Sequence, residues 1–291
     1  MNKVFNGSYR EALLGASSFL SDQACEEAIA YHYLLGLMGW QASDWYRHQF
    51  QTMPAADYAL YEAGIQRIAR DHYPYQYLLG EAYFYRYNFK VTPATLIPRQ
   101  ETELLVDWVK EGYQKGQVPR QAQVVDIGTG SGAIAITLKK ECPELAITAT
   151  DISAEALAVA RDNAQALEAD IDLVQGDLYQ AVAGQTFDLI VSNPPYIGRQ
   201  ELDEVAEDVQ RYEPDLALFA PEEGYAIYYR LIDDLDQYLK PGGSLIAEIG
   251  YKQGDRLLAY CRAHLPSHYH YRIEEDFAGH DRFLVVSKEG A

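Results

Sequence analysis

Positive charge is scarce in this sequence: 24 lysines and arginines stand against 43 aspartates and glutamates, giving a formal net charge of −19. Such a surface repels a phosphate backbone over most of its area, so no nucleic-acid partner is expected, and a basic protein surface is attracted instead. Cysteine is equally sparse. Cys25, Cys142 and Cys261 are odd in number, widely separated and without a C-x-x-C or histidine-rich neighbour, which excludes a disulfide framework and a metal site. All three are expected to be small buried apolar side chains. No long apolar run occurs in the first thirty residues, where Arg10, Glu11, Asp22, Glu26 and Glu27 intervene. Neither a secretory leader nor a membrane span is expected there, and the protein reads as cytoplasmic and monomeric. Internal repeats and low-complexity tracts are also lacking.

What is present is enough apolar residue, 48% of 291, to build a packed core, and length enough for a large domain with a smaller attachment. From about residue 8 to 73 the pattern is helical, with Leu13, Leu14, Phe19, Ala28, Ile29, Tyr33, Leu34 and Leu37 near three- and four-residue spacings. Pro74 is expected to break it. Leu79 to Thr92 alternates aromatic and polar residues through Tyr83, Phe84, Tyr85, Tyr87, Phe89 and Val91, as a hairpin does, with its aromatics packing between domains. Beyond Pro98 a helix from Glu101 to about Gly112 leads into strands at 123–127, 146–150, 171–174, 187–191, 244–249, 268–274 and 282–287. Helices at 131–141, 154–167, 224–239 and 252–264 separate them. Short apolar strands alternating with helices predict an α/β fold, a seven-stranded doubly wound, Rossmann-like sheet. The expected divisions are a helical domain over 1–77, a β-hairpin linker over 78–97 and the sheet domain over 98–291.

The first strand of the sheet runs into Gly128-Thr129-Gly130-Ser131-Gly132, a glycine turn opening a helix, where backbone approaches a nucleotide-like ligand closely. Gly128, Gly130 and Ala133 also satisfy a loose dinucleotide fingerprint, so a nicotinamide cofactor is open at this point. The second strand ends at Asp151, placed to accept hydrogen bonds from ribose hydroxyls or to cap the next helix. The third ends at Asp177-Leu178, a carboxylate and an apolar residue where an adenine amino group and ring face would lie.

Ser192-Asn193-Pro194-Pro195-Tyr196 follows the fourth strand and separates the two cofactors. Two prolines stiffen the loop and remove two donors, leaving carbonyl acceptors. Asn193 adds an amide oxygen and Tyr196 a flat ring. Acceptors converging on one point suit a planar NH₂ group. Asn193 Oδ1 and the Pro194 carbonyl are expected to take one hydrogen each, with Tyr196 against the plane, holding a poor amide nucleophile toward the methyl of S-adenosyl-L-methionine.

With these residues in view, the chain resembles the class I methyltransferases carrying an NPPY motif, and within them the PrmC/HemK family of release-factor glutamine methyltransferases. Pro74-Tyr75-Gln76-Tyr77 looks like the family's P-x-Q-Y segment, and Leu96-Ile97-Pro98-Arg99-Gln100-Glu101-Thr102-Glu103 like its L-I-P-R-x-E-T-E hallmark. Gln100 stands where a second proline is common. Glu213-Pro214, Glu248-Ile249-Gly250 and Asp281-Arg282 follow in the family's order. The resemblance implies methylation of the side-chain nitrogen of the glutamine in the Gly-Gly-Gln motif of class-1 peptide chain release factors, with S-adenosyl-L-homocysteine as product. It implies cofactor contacts at Gly128, Thr129, Gly130, Ser131, Gly132, Asp151, Asp177, Leu178 and Asn193. It also implies that Asn193, Pro194, Pro195 and Tyr196 hold the glutamine and that the helical domain grips the release factor. Arg99 has a plain reading as the partner of Glu101 or Glu103, and Glu248 as a structural acceptor at a strand end. Three rivals stay open: a glutamine methyltransferase of a ribosomal protein, an adenine N6 methyltransferase, and a non-catalytic binding module.

Overall fold

The computed structural model describes residues 5–290, so the outermost ends of the expected divisions, 1–4 and 291, lie outside the described residues. The chain forms two compact units, one of residues up to Glu81 together with Glu207–Tyr212, the other of Ala82–Ala206 and Glu213 onward.

The first unit is helical, with α1 (Tyr9–Asp22), α2 (Ala28–Met38), α3 (Ala42–His48), α4 (Ala55–Asp71) and α5 (Tyr75–Leu79). The start of α1 is set by a capping box. Ser8 Oγ accepts from the Glu11 amide at 3.3 Å, and the Ser8 amide donates to Glu11 Oε2 at 2.7 Å. Ala12, Ala16 and Leu20 recur every four residues and form its buried face. They meet Leu34, Tyr61, Ile65 and Ile68 in one core, where the Tyr61 hydroxyl donates to the Ala30 carbonyl at 2.9 Å. Pro74 does not end the helical region; it precedes the first residue of α5, where its missing N–H costs no hydrogen bond. The segment Glu207–Tyr212 joins this unit from far along the chain. Tyr212 donates to the Asp71 carbonyl at 2.8 Å and packs edge-on against Tyr73.

The second unit opens with a hairpin, β1 (Glu81–Phe84) and β2 (Tyr87–Lys90), whose two turn residues Tyr85 and Arg86 both have positive φ. The Tyr85 amide donates to Glu103 Oε1 at 2.7 Å and its hydroxyl to Asp107 Oδ1 at 2.7 Å, which secures the turn. Phe84 and Phe89 are fully buried in this unit's own core, so packing between domains is not what buries them. Then follow α6 (Glu103–Gln114), β3 (Gln123–Ile127), α7 (Ala133–Glu141), β4 (Ala146–Asp151), α8 (Ala154–Ala166), β5 (Asp172–Gln175) and β6 (Phe187–Ser192). After α9 (Glu207–Tyr212), which belongs to the helical unit, come α10 (Asp215–Leu218), α11 (Ala226–Asp233), α12 (Leu235–Tyr238), β7 (Leu239–Glu248), α13 (Gly254–His264), β8 (Tyr269–Glu275) and β9 (Asp281–Lys288).

Seven strands make one sheet in the order β5-β4-β3-β6-β7-β9-β8, parallel except for β9, which runs antiparallel to both neighbours. Strand residues alternate between two cores. Val124, Leu189, Val191 and Ile246 face α6 and α7, while Val125, Ile190, Leu245 and Ala247 face α11 and α13. The expected sheet is therefore present, with most boundaries within two residues. The expected helix at 224–239 is two helices meeting at Asp234, and α9 and α10 were not expected. Strand order reverses at β3, so the carboxyl ends of β3, β4, β5 and β6 converge at the place where open sheets bind ligands.

Candidate functional site

A cavity of about 680 Å³ lies at those carboxyl ends, a volume suited to a nucleoside-sized ligand. Gly128, Thr129, Gly130 and Ser131 of the glycine turn line it, as do Asp151, Asp177, Leu178 and Asn193, together with Pro194 and Pro195. Gly128 and Gly130 have φ of +74° and +56°, and a Cβ on either would project into open space. The turn thus presents bare backbone to the cavity, in a conformation other residues reach only with strain. Beneath it Thr129 Oγ1 donates to buried Asp126 Oδ2 at 2.6 Å, and Asn163, also buried, donates to the Ser131 carbonyl at 2.8 Å while accepting from the Lys90 amide at 2.7 Å. Asn163 joins the turn to the hairpin, a role no local pattern announces.

Asp151 is oriented by backbone. Its Oδ2 accepts from the Gly130 amide at 2.9 Å and its Oδ1 from the Ser153 amide at 2.8 Å. The helix cap that Asp151 might have supplied comes from Ser153, whose Oγ accepts from the Ala156 amide at 3.1 Å. Burial raises the Asp151 carboxyl above its ordinary value, against three backbone hydrogen bonds that lower it. Asp177 accepts a 2.7 Å hydrogen bond from Arg230 of α11, which also lines the cavity. Arg230 and the hairpin's Phe84 are wall residues that sequence patterns do not reveal, because they arrive from elements distant in the chain.

The loop after β6 is braced on several sides. Ser192 Oγ donates to the Ile127 carbonyl at 2.7 Å, and Gln253 Nε2 donates to the Tyr196 carbonyl at 2.9 Å. Gly224, at φ +90°, passes so close that a Cβ there would meet the Tyr196 carbonyl oxygen at 2.1 Å, so no other residue fits. Two expected site residues are not on the cavity wall: Gly132, which packs against Ile136 and Ala160 at the start of α7, and Tyr196. The Tyr196 ring is drawn into the apolar core beneath α11 and α13, and burial pushes its phenol up to about 12, leaving it neutral at pH 7. Asn193 Nδ2 donates to Thr102 Oγ1 at 3.1 Å, and Thr102 Oγ1 donates to Glu248 Oε2 at 2.6 Å. Thr102 therefore does not cap α6, which begins at Glu103 rather than Glu101. Arg99 pairs with neither Glu101 nor Glu103 but with buried Glu213, which also accepts from the Ile97 amide at 3.0 Å. Cys142 and Cys261 are buried as expected, whereas Cys25 is only half-buried and lies 3.6 Å from His72 Nδ1.

Asp126 and Glu248 are both fully buried, and burial raises each carboxyl to about 7. The hydrogen bonds from Thr129 and Thr102 oppose that rise only in part. Between the ordinary values, 3.8 and 4.5, and about 7, the folded chain keeps protons that the unfolded chain releases. The resulting stability is complete below the ordinary values and is lost as pH rises through 7. Denaturant titrations are expected to show unfolding free energy falling from pH 5 to 7, each group contributing a slope of up to about 1.4 kcal/mol per pH unit. Asp126→Asn should remove its share; an unchanged slope in that variant would contradict the assignment.

Residues 11–80 match the family model described as PrmC N-terminal domain, and residues 100–211 the one described as Methyltransferase small domain. The release factor glutamine methyltransferase of Enterococcus faecalis is 42% identical over 279 residues, 96% of this chain and 98% of that protein. The chain belongs to the release factor glutamine methyltransferase family. Another member, from Staphylococcus aureus, is 36% identical over 280 residues, 95% of this chain and 98% of its own length. The crystal structure of a methyltransferase from Pyrococcus furiosus, 18% identical, shares the fold alone, with a TM-score of 0.51 over 70% of this chain and 89% of that one. The family resemblance of the motifs is borne out, and the chain is a methyltransferase. No helix among the described residues is long and apolar enough to cross a membrane.

Proposed function

We propose that this enzyme transfers the methyl group of S-adenosyl-L-methionine to the side-chain amide nitrogen of the glutamine in the Gly-Gly-Gln motif of class-1 peptide chain release factors. The observation that carries the reading is the direction of the Asn193 carboxamide. Its Nδ2 is engaged by Thr102, so its Oδ1 is the atom left to the cavity, beside the stiff Pro194-Pro195 pair. That oxygen and the Pro194 carbonyl are acceptors, and an amide NH₂ has two hydrogens to give.

The cavity fits the cofactor on three counts: its volume, the bare backbone at Gly128 and Gly130, and two carboxylates at consecutive strand ends. S-adenosyl-L-methionine supplies an electrophilic methyl carbon. Gly128 to Gly132 give close backbone approach, Asp151 accepts from ribose hydroxyls, and Asp177 with Leu178 takes the adenine. Asn193 and Pro194 hold the substrate NH₂, withdraw its hydrogens toward oxygen and stabilise the positive charge that develops on nitrogen. Pro195 and Tyr196 keep the loop rigid. Neutral Tyr196 is no base, and none is required before attack: the nitrogen–carbon bond forms as the carbon–sulfur bond breaks, the thioether product leaves with the electron pair, and the surplus proton on nitrogen then passes to water.

We further assign to the helical unit, residues up to Glu81 with Glu207–Tyr212, a part in gripping the release factor in the cytoplasm, and the methyl transfer to the second unit, hairpin included. The net charge of −19 favours a basic protein surface over a nucleic acid as partner. The test is incubation with methyl-labelled cofactor and a choice of release factor, ribosomal protein and DNA, followed by mass spectrometry. Label on the Gly-Gly-Gln glutamine is the expected result; label only on ribosomal protein or on adenine overturns the reading.

A further inference from the structure

Beyond the loop itself, a chain of three polar groups runs from half-buried Asn193 on the cavity wall into the interior, through Thr102 at the start of α6 to Glu248 at the end of β7. The members come from positions 91 and 146 residues apart. Thr102 and Glu248 are 4% and 1% exposed, so water does not substitute for either partner. A hydroxyl has one hydrogen. An ionised carboxylate is acceptor-only, so it claims that hydrogen and leaves Thr102 Oγ1 only lone pairs to offer Asn193. The amide must then turn its NH₂ to Thr102. The opposite rotamer would set two oxygens against each other and present NH₂ to the substrate's NH₂.

We propose, resting on the functional reading above, that Thr102 and Glu248 are positioning residues: the carboxylate polarises the threonine hydroxyl, which fixes the Asn193 carboxamide with its oxygen toward the substrate. A protonated Glu248 loses this control, because its own O–H can donate to Thr102 and free the threonine hydrogen for Asn193 Oδ1. Groups facing Glu248 come from every side: Arg282 on β9, Arg99 and Glu101 before α6, Tyr196 on the reactive loop, and Tyr228 on α11, whose hydroxyl donates to the Glu248 carbonyl at 2.6 Å. The two arginines favour the ionised carboxyl, while burial and Glu101 oppose it.

The test uses the full chain with Thr102→Val, Thr102→Ser and Glu248→Gln, measuring kcat and KM for release-factor methylation from pH 6 to 8.5 and cofactor affinity by calorimetry. Thr102→Val is expected to lower kcat about tenfold or more while cofactor affinity stays within about threefold, and Thr102→Ser to restore most of it. Wild-type kcat should rise with pH through the region near 7, and Glu248→Gln should lack that limb while Asp126→Asn keeps it. Protection of the Asn193 side-chain NH₂ against hydrogen exchange, followed by NMR with ¹⁵N-asparagine, should be lost in Thr102→Val irrespective of substrate. Wild-type kcat in Thr102→Val, or the wild-type limb in Glu248→Gln, overturns the relay. If Thr102→Val does not fold, the Glu248→Gln profile decides. Wild-type protein that leaves the glutamine unmethylated overturns the functional reading, and the exchange measurement then judges the relay by itself.

Discussion

Asn193→Ala is expected to lower kcat for methyl transfer by about a hundredfold, the scale on which removing one preorganised electrostatic contact slows group transfer. An amide nitrogen has its lone pair delocalised into the carbonyl, so it attacks only when its hydrogens are drawn to strong acceptors and its position is fixed. Alanine removes one of two such acceptors and the tether to Thr102. The loop itself survives, because Ser192, Gln253 and Gly224 brace it independently. The loss should therefore fall on kcat, with cofactor affinity changed about threefold or less and the thermal midpoint near that of the parent. A variant with parental turnover would remove Asn193 from the chemistry.

Asp151→Ala should weaken binding of S-adenosyl-L-methionine by about 1 to 3 kcal/mol, through the loss of charge-assisted hydrogen bonds. The carboxylate does two jobs in the folded chain. It receives the Gly130 and Ser153 amides, which shape the glycine turn, and beyond its three backbone hydrogen bonds it retains a lone pair to accept from a ligand hydroxyl. Alanine leaves both amides unmatched and the ribose without an acceptor. Asp151→Asn separates these contributions, since an amide keeps one acceptor oxygen for the turn. Calorimetry should place it between the parent and the alanine variant; equal affinity in all three proteins would dissociate Asp151 from the cofactor.

The parts of the site that could be read from sequence are those written in consecutive residues. A strand entering Gly128 to Gly132 has one structural outcome, because three glycines at that spacing permit positive φ where the helix begins. Asn193 to Tyr196 is legible for the same reason: two prolines dictate a stiff loop wherever they occur. The sheet was legible because its parallel strands are buried on both faces and read as short apolar runs. What escaped is what depends on meeting across the fold. Arg99 finds Glu213 114 residues away, not the nearby glutamates, because Glu213 is buried and Glu101 is not. Thr102 carries no local signal of its partner: it stands just before α6 without a capping hydrogen bond, and its hydroxyl serves Glu248 146 residues away. Tyr196 reads as a flat surface for the substrate, but the apolar core under α11 and α13 takes its ring. The excursion Glu207–Tyr212 carries few apolar residues, so no periodicity marks it, and Tyr212 finds its place only against Tyr73 and Asp71.

The direct measurement is a crystal structure of the chain with S-adenosyl-L-homocysteine and a Gly-Gly-Gln peptide. Hydrogen-bond distances of about 2.7 to 3.1 Å from the glutamine side-chain nitrogen to both Asn193 Oδ1 and the Pro194 oxygen are predicted. A glutamine nitrogen out of reach of both oxygens, or an Asn193 whose Nδ2 faces the peptide, would contradict the account.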